Sequence, residues 1–289
     1  VTTSATLQSL VQAAVSGLFP DVVVDGRSKT EILEDVMAVH GWARVLEVGA
    51  ELRRRADHPV VRGVVASPEP RAVLERWTLL ERFAHSSNRV QVIRVDNAHL
   101  VARHVAADGA AIAGVNDLFV WGLLISLFEL AGASELRAAF GGEDETQFHP
   151  VAHGVALPRV THTAIFSWRS GGLAQVPLSV VGSVRERLHA LVRRDPLANW
   201  SARQAAAELG LSLRTLQRAL HAESTTFSAT VQRARVACAE AMLGDARLSL
   251  AEVAFCSGFA DQAHFTRTFR KYVDVPPSVP RRSANGRGQ

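Results

Sequence analysis

Two short stretches of this chain concentrate side chains that can read the edges of nucleic-acid bases. Arg214, Thr215, Gln217 and Arg218 lie within one, and Gln262, His264, Thr266, Arg267, Arg270 and Lys271 within the other. In the major groove, arginine offers a fork of donors that matches guanine, and glutamine can both donate to and accept from adenine. Arginine and lysine also neutralise phosphates. A solvated helix face carries similar residues, so the weight falls on how these sets are arranged.

They are arranged as a repeat. Shifting SARQAAAELGLS by 48 positions lays it on SLAEVAFCSGFA, placing Ser201 on Ser249, Gln204 on Glu252, Ala206 on Ala254 and Gly210 on Gly258. The match resumes at an offset of 49, with Leu216 over Phe265, Arg218 over Arg267 and Leu220 over Phe269, so the second copy has one extra residue in its turn. Internal repetition constrains a fold more than any single motif. Two copies are too few for a solenoid and read as a tandem module.

The elements that must position the polar sets follow from the same letters. Ser201-x-x-Gln204 and Ser249-x-x-Glu252 are capping-box openings. They predict first helices over 202–209 and 250–257, each ending at a glycine that can take the left-handed turn. A second helix then starts in each copy. Ala205, Ala206, Leu209, Leu213, Leu216 and Leu220 pack the first pair, leaving Arg214, Thr215, Gln217 and Arg218 outward. Val253, Ala254, Phe259, Phe265 and Phe269 pack the second, exposing Gln262, His264, Thr266, Arg267, Arg270 and Lys271. This is helix-turn-helix anatomy. Between the copies, Phe227, Val231, Ala234, Cys238, Ala241 and Met242 make one apolar stripe, predicting a connecting helix of about 25 Å at 1.5 Å per residue. Such a helix could hold two readers in successive major grooves, about 34 Å apart.

On these residues the last hundred positions resemble the AraC/XylS transcriptional regulators, most specifically in GFADQAHFTRTFRKYVDVPPSVPRR. Val279-Pro280 before Arg281 departs from the family's usual ending. The resemblance implies an all-α C-terminal domain with two helix-turn-helix units joined by a long helix. It implies double-stranded DNA and RNA polymerase as partners, with Arg281 joining the ten residues above as a DNA contact. SPEPRAVLERWTLLERFAHSSNRVQVIRVDNAHLVARH resembles, diffusely, the arabinose-binding-like N-terminal region of one branch, which does not make arabinose the ligand.

Charge follows the same division. Residues 183–289 carry 16 basic against 9 acidic residues, and 1–182 carry 16 against 19. A basic block joined to a mildly acidic one reads as a nucleic-acid module plus a second domain. We expect an α+β effector-binding or dimerisation domain over 1–178 and the DNA-binding domain over 179–289, with the break in the glycine-bearing segment 170–183. Helices are predicted over 5–18, along an amphipathic run 31–55 ending in Arg53-Arg54-Arg55, over 70–84 and over 116–131. A hairpin is predicted at 88–105 around Asn97, and one or two strands at 155–169 after the loop GGEDE.

Other chemistry is poorly supported. His149, His153 and His162 are spaced loosely like metal ligands, but Pro150 opposes a shared helix, and we expect no metal and no cofactor. The arginine run 53–55 reads as a solvated helix end. Trp42, Trp77, Trp121 and Trp168 suit either a core or a pocket. Cys238 and Cys256 suit small buried positions, and their scarcity fits a reducing compartment. Residues 1–182 have no cysteine for a repair-type or amidotransferase-like site, and the chain has no Gly-x-Ser-x-Gly, P-loop or dinucleotide motif, so an enzyme is not expected. The first residues, VTTSATLQSL, do not read as a secretory signal, and no apolar run approaches the roughly 20 residues of a membrane span. The expected location is cytoplasmic, on the nucleoid when bound to DNA. The expected function is a sequence-specific activator or repressor answering to a small-molecule effector. The alternative is a ligand-independent regulator whose N-terminal half only oligomerises as, for example, a homodimer.

Overall fold

The computed structural model describes residues 5–67, 69–83, 88–96, 98–141, 149–150, 161–170, 182–245 and 248–280. The chain divides into two compact units, Val1–Leu173 and Ala174–Gln289. The break expected in 170–183 falls almost wholly outside the described residues, as do Asn97, most of GGEDE and His153.

The first unit is α+β. Its helices are α1 (Ala5–Leu18), α2 (Lys29–His40), α3 (Trp42–Ala50), α4 (Pro59–Val65), α5 (Pro70–Phe83) and α6 (Gly114–Leu130), with a 3-10 turn at Glu51–Arg55. Its strands are β1 (Asn88–Val95), β2 (His99–Ala106), β3 (Ala133–Gly141), β4 (His149–Pro150) and β5 (Thr163–Ser170). They form one antiparallel sheet in the order β1-β2-β5-β3-β4. The predicted hairpin is β1–β2, with a register shift between Val92 and Arg94. Leu100, Ala102, Ala164, Phe166 and Trp168 are buried, and Phe128 of α6 packs against both Phe166 and Trp168.

Helix α6 is buried on nearly every side, which explains its lack of a polar face. It meets α3 backbone to backbone: a β carbon on Gly122 would overlap the Leu46 carbonyl, and one on Gly49 would come within 2.7 Å of the Leu123 nitrogen. Only glycines permit this approach. Beside the crossing, Asp117 accepts from the Thr161 hydroxyl at 2.9 Å and pairs with His104 Nδ1 at 2.8 Å, all three buried. Burial pushes the nearby Lys29 ammonium down to about 8, opposed by the field of Asp117.

One expectation for this unit needs correction, and two elements were not anticipated. The run 31–55 is two helices and a 3-10 turn, because Gly41 sits at φ 86 and ends α2. Strand β3 was not anticipated, since ASELRAAFG lacks β-branched residues, and α4, started by Pro59, was missed as well. The tryptophans Trp77, Trp121 and Trp168 are buried, and Trp42 is half-buried.

The second unit is all helical: α7 (Val184–Arg194), α8 (Ala202–Glu208), α9 (Leu213–Ala222), α10 (Phe227–Met242), α11 (Leu250–Cys256) and α12 (Gln262–Val273). Helix α7 was not anticipated. It supplies Leu188, Leu191 and Val192 to a core shared with Ala205, Ala206, Leu209, Leu216, Leu220, Val231 and Ala234. The single stripe expected on α10 is wider: Val236 and Ala239 are buried too, whereas Ala241 is exposed. A helix with partners on more than one side needs more than one apolar face. No helix of the described residues is long and apolar enough to cross a membrane.

Candidate nucleic-acid interface

The two helix pairs are built by the same backbone hydrogen bonds. In the first, the Gln204 amide donates to Ser201 Oγ and the Ser201 amide to Gln204 Oε1, both at 3.2 Å. In the second, the Glu252 amide donates to Ser249 Oγ at 3.2 Å and the Ser249 amide to Glu252 Oε2 at 2.7 Å. Each first helix ends in a Schellman turn. The Gly210 and Leu211 amides donate to the Ala207 and Ala206 carbonyls, as the Gly258 and Phe259 amides do to those of Phe255 and Ala254. Gly210 and Gly258 take φ of 67 and 79. The extra residue of the second copy is accommodated after this turn, before a second N-cap.

Those second N-caps, Ser212 and Asp261, orient the candidate reading helices. The Thr215 amide donates to Ser212 Oγ at 3.1 Å, and the His264 amide to Asp261 Oδ1 at 2.6 Å. Neither cap was singled out from the sequence, although Ser or Asp three residues before a bonded amide is the available signal. Leu216 and Leu220 fix α9 from beneath, and Phe265 and Phe269 fix α12, their rings 5.5 Å apart.

Above these anchors, Arg214, Gln217 and Arg218 of α9 are exposed, as are Gln262, Arg267, Arg270 and Lys271 of α12. The Lys271 ammonium sits 5.7 Å from the centre of the Tyr272 ring, with the Arg233 guanidinium 5.5 Å away from it. Three expected outward residues are only half-exposed. Thr215 shares its hydroxyl with Ser212 at 2.8 Å, Thr266 donates to the Gln262 carbonyl, and His264 sets its ring edge-on to Phe259 at 5.4 Å. Such polar groups near a helix start serve the cap or the preceding turn. Arg281 lies outside the described residues. Pro280 lies in a helical turn beginning at Ser278, where proline's missing amide costs little, so the Val279-Pro280 departure is compatible with a helix start.

A strap joins the pairs. Arg235 of α10 donates from Nε to the Pro196 carbonyl and from Nη2 to the Ala198 carbonyl, both at 3.2 Å, and burial lowers its pKa. The same Pro196 carbonyl fills the space where Gly258 has no β carbon. On the other side, Arg187 of α7 donates to the Leu209 carbonyl at 2.6 Å, capping α8. Glu223, after α9, accepts from the Ser183 hydroxyl at 2.9 Å and the Arg185 amide at 3.3 Å.

Residues 205–283 match the helix-turn-helix domain family. Within the C-terminal unit, this segment is an AraC-type helix-turn-helix domain. The chain is 40% identical over 77 residues to the transcriptional activator NphR of Rhodococcus sp, covering 27% of this chain and 23% of that protein. It is 24% identical over 155 residues to the transcriptional regulator SirC of Salmonella typhimurium, covering 48% and 52% respectively. It thus spans about a quarter to a half of these curated relatives. Among solved structures, a DNA-binding transcriptional dual regulator from Escherichia coli K-12 covers 37% of this chain and 97% of its own, with 21% identity and TM-score 0.36. The regulator CdpR of Pseudomonas aeruginosa covers 98% and 99%, with 15% identity and TM-score 0.36.

The two cysteines are poorly placed for thiol chemistry. Cys238 and Cys256 are free and buried, and burial raises both thiols, that of Cys256 to about 12, against thiolate reactivity. Among the described residues, no group of three His, Cys, Asp or Glu side chains is placed to hold a metal.

Proposed function

We propose that this chain is an AraC-type, sequence-specific transcriptional regulator that binds double-stranded DNA through α9 and α12. Arg214, Gln217, Arg218, Gln262 and Arg267 read bases, while Arg270, Lys271 and Arg281 engage phosphates. The observation that carries this reading is the duplicated pair of helices, each capped alike at its start and turn and each presenting exposed arginine and glutamine. The N-terminal unit then supplies effector sensing, and RNA polymerase is the partner through which bound protein acts. Selection of sites from random duplexes by the intact protein tests it. Enrichment of a motif with two half-sites about one helical turn apart supports the reading, and recovery of unenriched DNA removes it.

A second reading, oligomerisation alone, is favoured by one feature of the N-terminal unit. Strand β1 is an edge of the sheet, and it exposes Val92 and Ile93. An edge strand that exposes apolar side chains can pair with another chain. Sedimentation of Ile93→Lys beside the wild type separates the readings: loss of a dimer supports an oligomerisation surface, and an unchanged monomer rejects it.

A further inference from the structure

The N-terminal unit holds an apolar cavity of about 70 Å³ among α1, the 3-10 turn, α4, α5 and α6. Leu52, Val64, Trp77, Leu123 and Leu127 form its walls, and Arg55 and His58 also line it. The cavity is partly open to solvent and has room for roughly two or three water-sized groups. Its apolar walls offer water few hydrogen bonds and favour an apolar group of matching size.

The lining cation gives the second half of the occupant. Of the three consecutive arginines, Arg53 pairs with Glu129 at 2.9 Å and Arg54 with Glu51 at 3.0 Å. Arg55 has no carboxylate partner among the described residues and instead borders the cavity. An exposed arginine at the rim of an apolar slot suits a carboxylate attached to a short hydrocarbon tail, because its planar guanidinium can swing over the carboxylate and bind it through two parallel hydrogen bonds. The indole of Trp77 is held from outside the slot, its Nε1 donating to Glu81 at 2.7 Å, so its ring is fixed as a wall. His58 Nδ1 accepts from the Val60 amide at 3.4 Å, fixing the imidazole at the start of α4.

We infer that this cavity is a binding site for a short-chain carboxylate, its branched or unbranched tail in the apolar slot and its carboxylate on Arg55. The inference rests on the sensing role given above to the N-terminal unit and names the class of ligand for it. The size of the slot excludes a long acyl chain from entering whole. Arg55 gives the site its preference for an anion over a neutral molecule of equal shape.

The test titrates the intact protein with 3-methylbutanoate to about 20 mM, following tryptophan emission and melting temperature, with 3-methylbutanamide and acetate in parallel. The acid should give a saturable change in emission and raise the melting temperature by about 3 °C near ten times its dissociation constant. The amide keeps the tail without the charge, and acetate keeps the charge without the tail; each should bind at least about ten-fold more weakly. Arg55→Gln should weaken the acid by a similar factor while leaving the melting temperature without ligand unchanged. Leu80→Phe, at a half-buried lining position, should fill the slot and abolish the response. Equal responses to acid and amide, an Arg55→Gln protein that binds as the wild type does, or no saturable change overturns the inference. Duplex binding is measured on the same samples without ligand: its survival alongside a missing response rejects the carboxylate site alone, whereas its loss rejects the regulator reading.

Discussion

The Pro196 carbonyl lies against the α carbon of Gly258, in the space a β carbon would occupy. Gly258 ends α11 in the second helix pair, whereas Pro196 follows α7, so the second pair's turn is seated on the segment leading into the first. Arg235 donates to the same carbonyl and holds the seat in place. Gly210, its counterpart in the repeat, faces open space.

This asymmetry predicts unequal costs for equal substitutions. Gly210→Ala pays only for a left-handed backbone, about 1 to 2 kcal/mol. Gly258→Ala adds an overlap with a backbone carbonyl and should cost more than about 3 kcal/mol, since neither backbone can yield without moving a helix. Denaturant unfolding of both variants measures the difference. Equal losses would mean that the strap between the pairs gives way easily.

Base reading and backbone attraction should separate. Arg218→Ala or Arg267→Ala should lose about 1 to 3 kcal/mol on a selected site and relax its sequence preference. Lys271→Ala should weaken selected and random duplexes alike and flatten the dependence on salt. Binding isotherms at several salt concentrations distinguish these patterns. If all three variants weaken both duplexes equally, the assignment of readers on α9 and α12 fails.

Much of the architecture of the two helix pairs was legible because it depends on local chemistry repeated in the chain. Ser201, Gln204, Ser249 and Glu252 state their caps within four residues, and Gly210 and Gly258 state their turns. The apolar positions Leu216, Leu220, Phe265 and Phe269 then fix which sides of α9 and α12 face out. What was hidden depends on distant partners. The seat of Gly258 on Pro196 and the hold of Arg235 have no local signature, and α7 takes its place only through the core that Leu188 and Leu191 share with Leu216. In the N-terminal unit β3 escaped notice because its strand character comes from pairing with β5 rather than from β-branched residues. The break at Gly41 interrupts a pattern that looked continuous, and the cavity beside Arg55 exists only once five elements surround it.

The buried carboxyl of Glu81 gives the N-terminal unit a dependence on pH. Burial pushes it up to about 7, against hydrogen bonds from the Val90 amide and the Trp77 indole that pull it down. The folded state thus holds this proton more tightly than the unfolded chain. Its contribution to stability is complete below about pH 4.5 and is lost as pH rises through about 7. Glu81→Gln should therefore flatten the stability profile across that window. Parallel profiles for variant and wild type would show that Glu81 does not titrate there.

Asp117 should be the least replaceable polar residue of the same unit. It joins His104, Thr161 and the field felt by Lys29, all buried. Asp117→Ala strands the His104 ring nitrogen and the Thr161 hydroxyl, removes the field that supports the Lys29 charge, and should cost about 3 to 5 kcal/mol. Asp117→Asn keeps an acceptor for the Thr161 hydroxyl and should cost less. Unfolding midpoints for the two variants order these effects, and a smaller loss for alanine than for asparagine would contradict the network.

The C-terminal unit should fold and bind DNA without the first, provided α7 is kept whole. Ser183 and Glu186 cap α7, Glu223 ties its start to the end of α9, and Leu188, Leu191 and Val192 complete the core beneath α8 and α9. A fragment of residues 179–289 retains every one of these contacts and should unfold cooperatively and bind a selected duplex, more weakly if the intact protein is a dimer whose linked domains raise the local concentration of the second. A fragment of residues 195–289 keeps both helix pairs yet removes three buried aliphatic side chains and the Arg187 cap on Leu209. It should lose cooperative unfolding and, with it, the fixed geometry of α9. Circular dichroism melts and duplex titrations of the two fragments decide the matter: equal stability and affinity would make α7 a linker, not part of the DNA-binding domain.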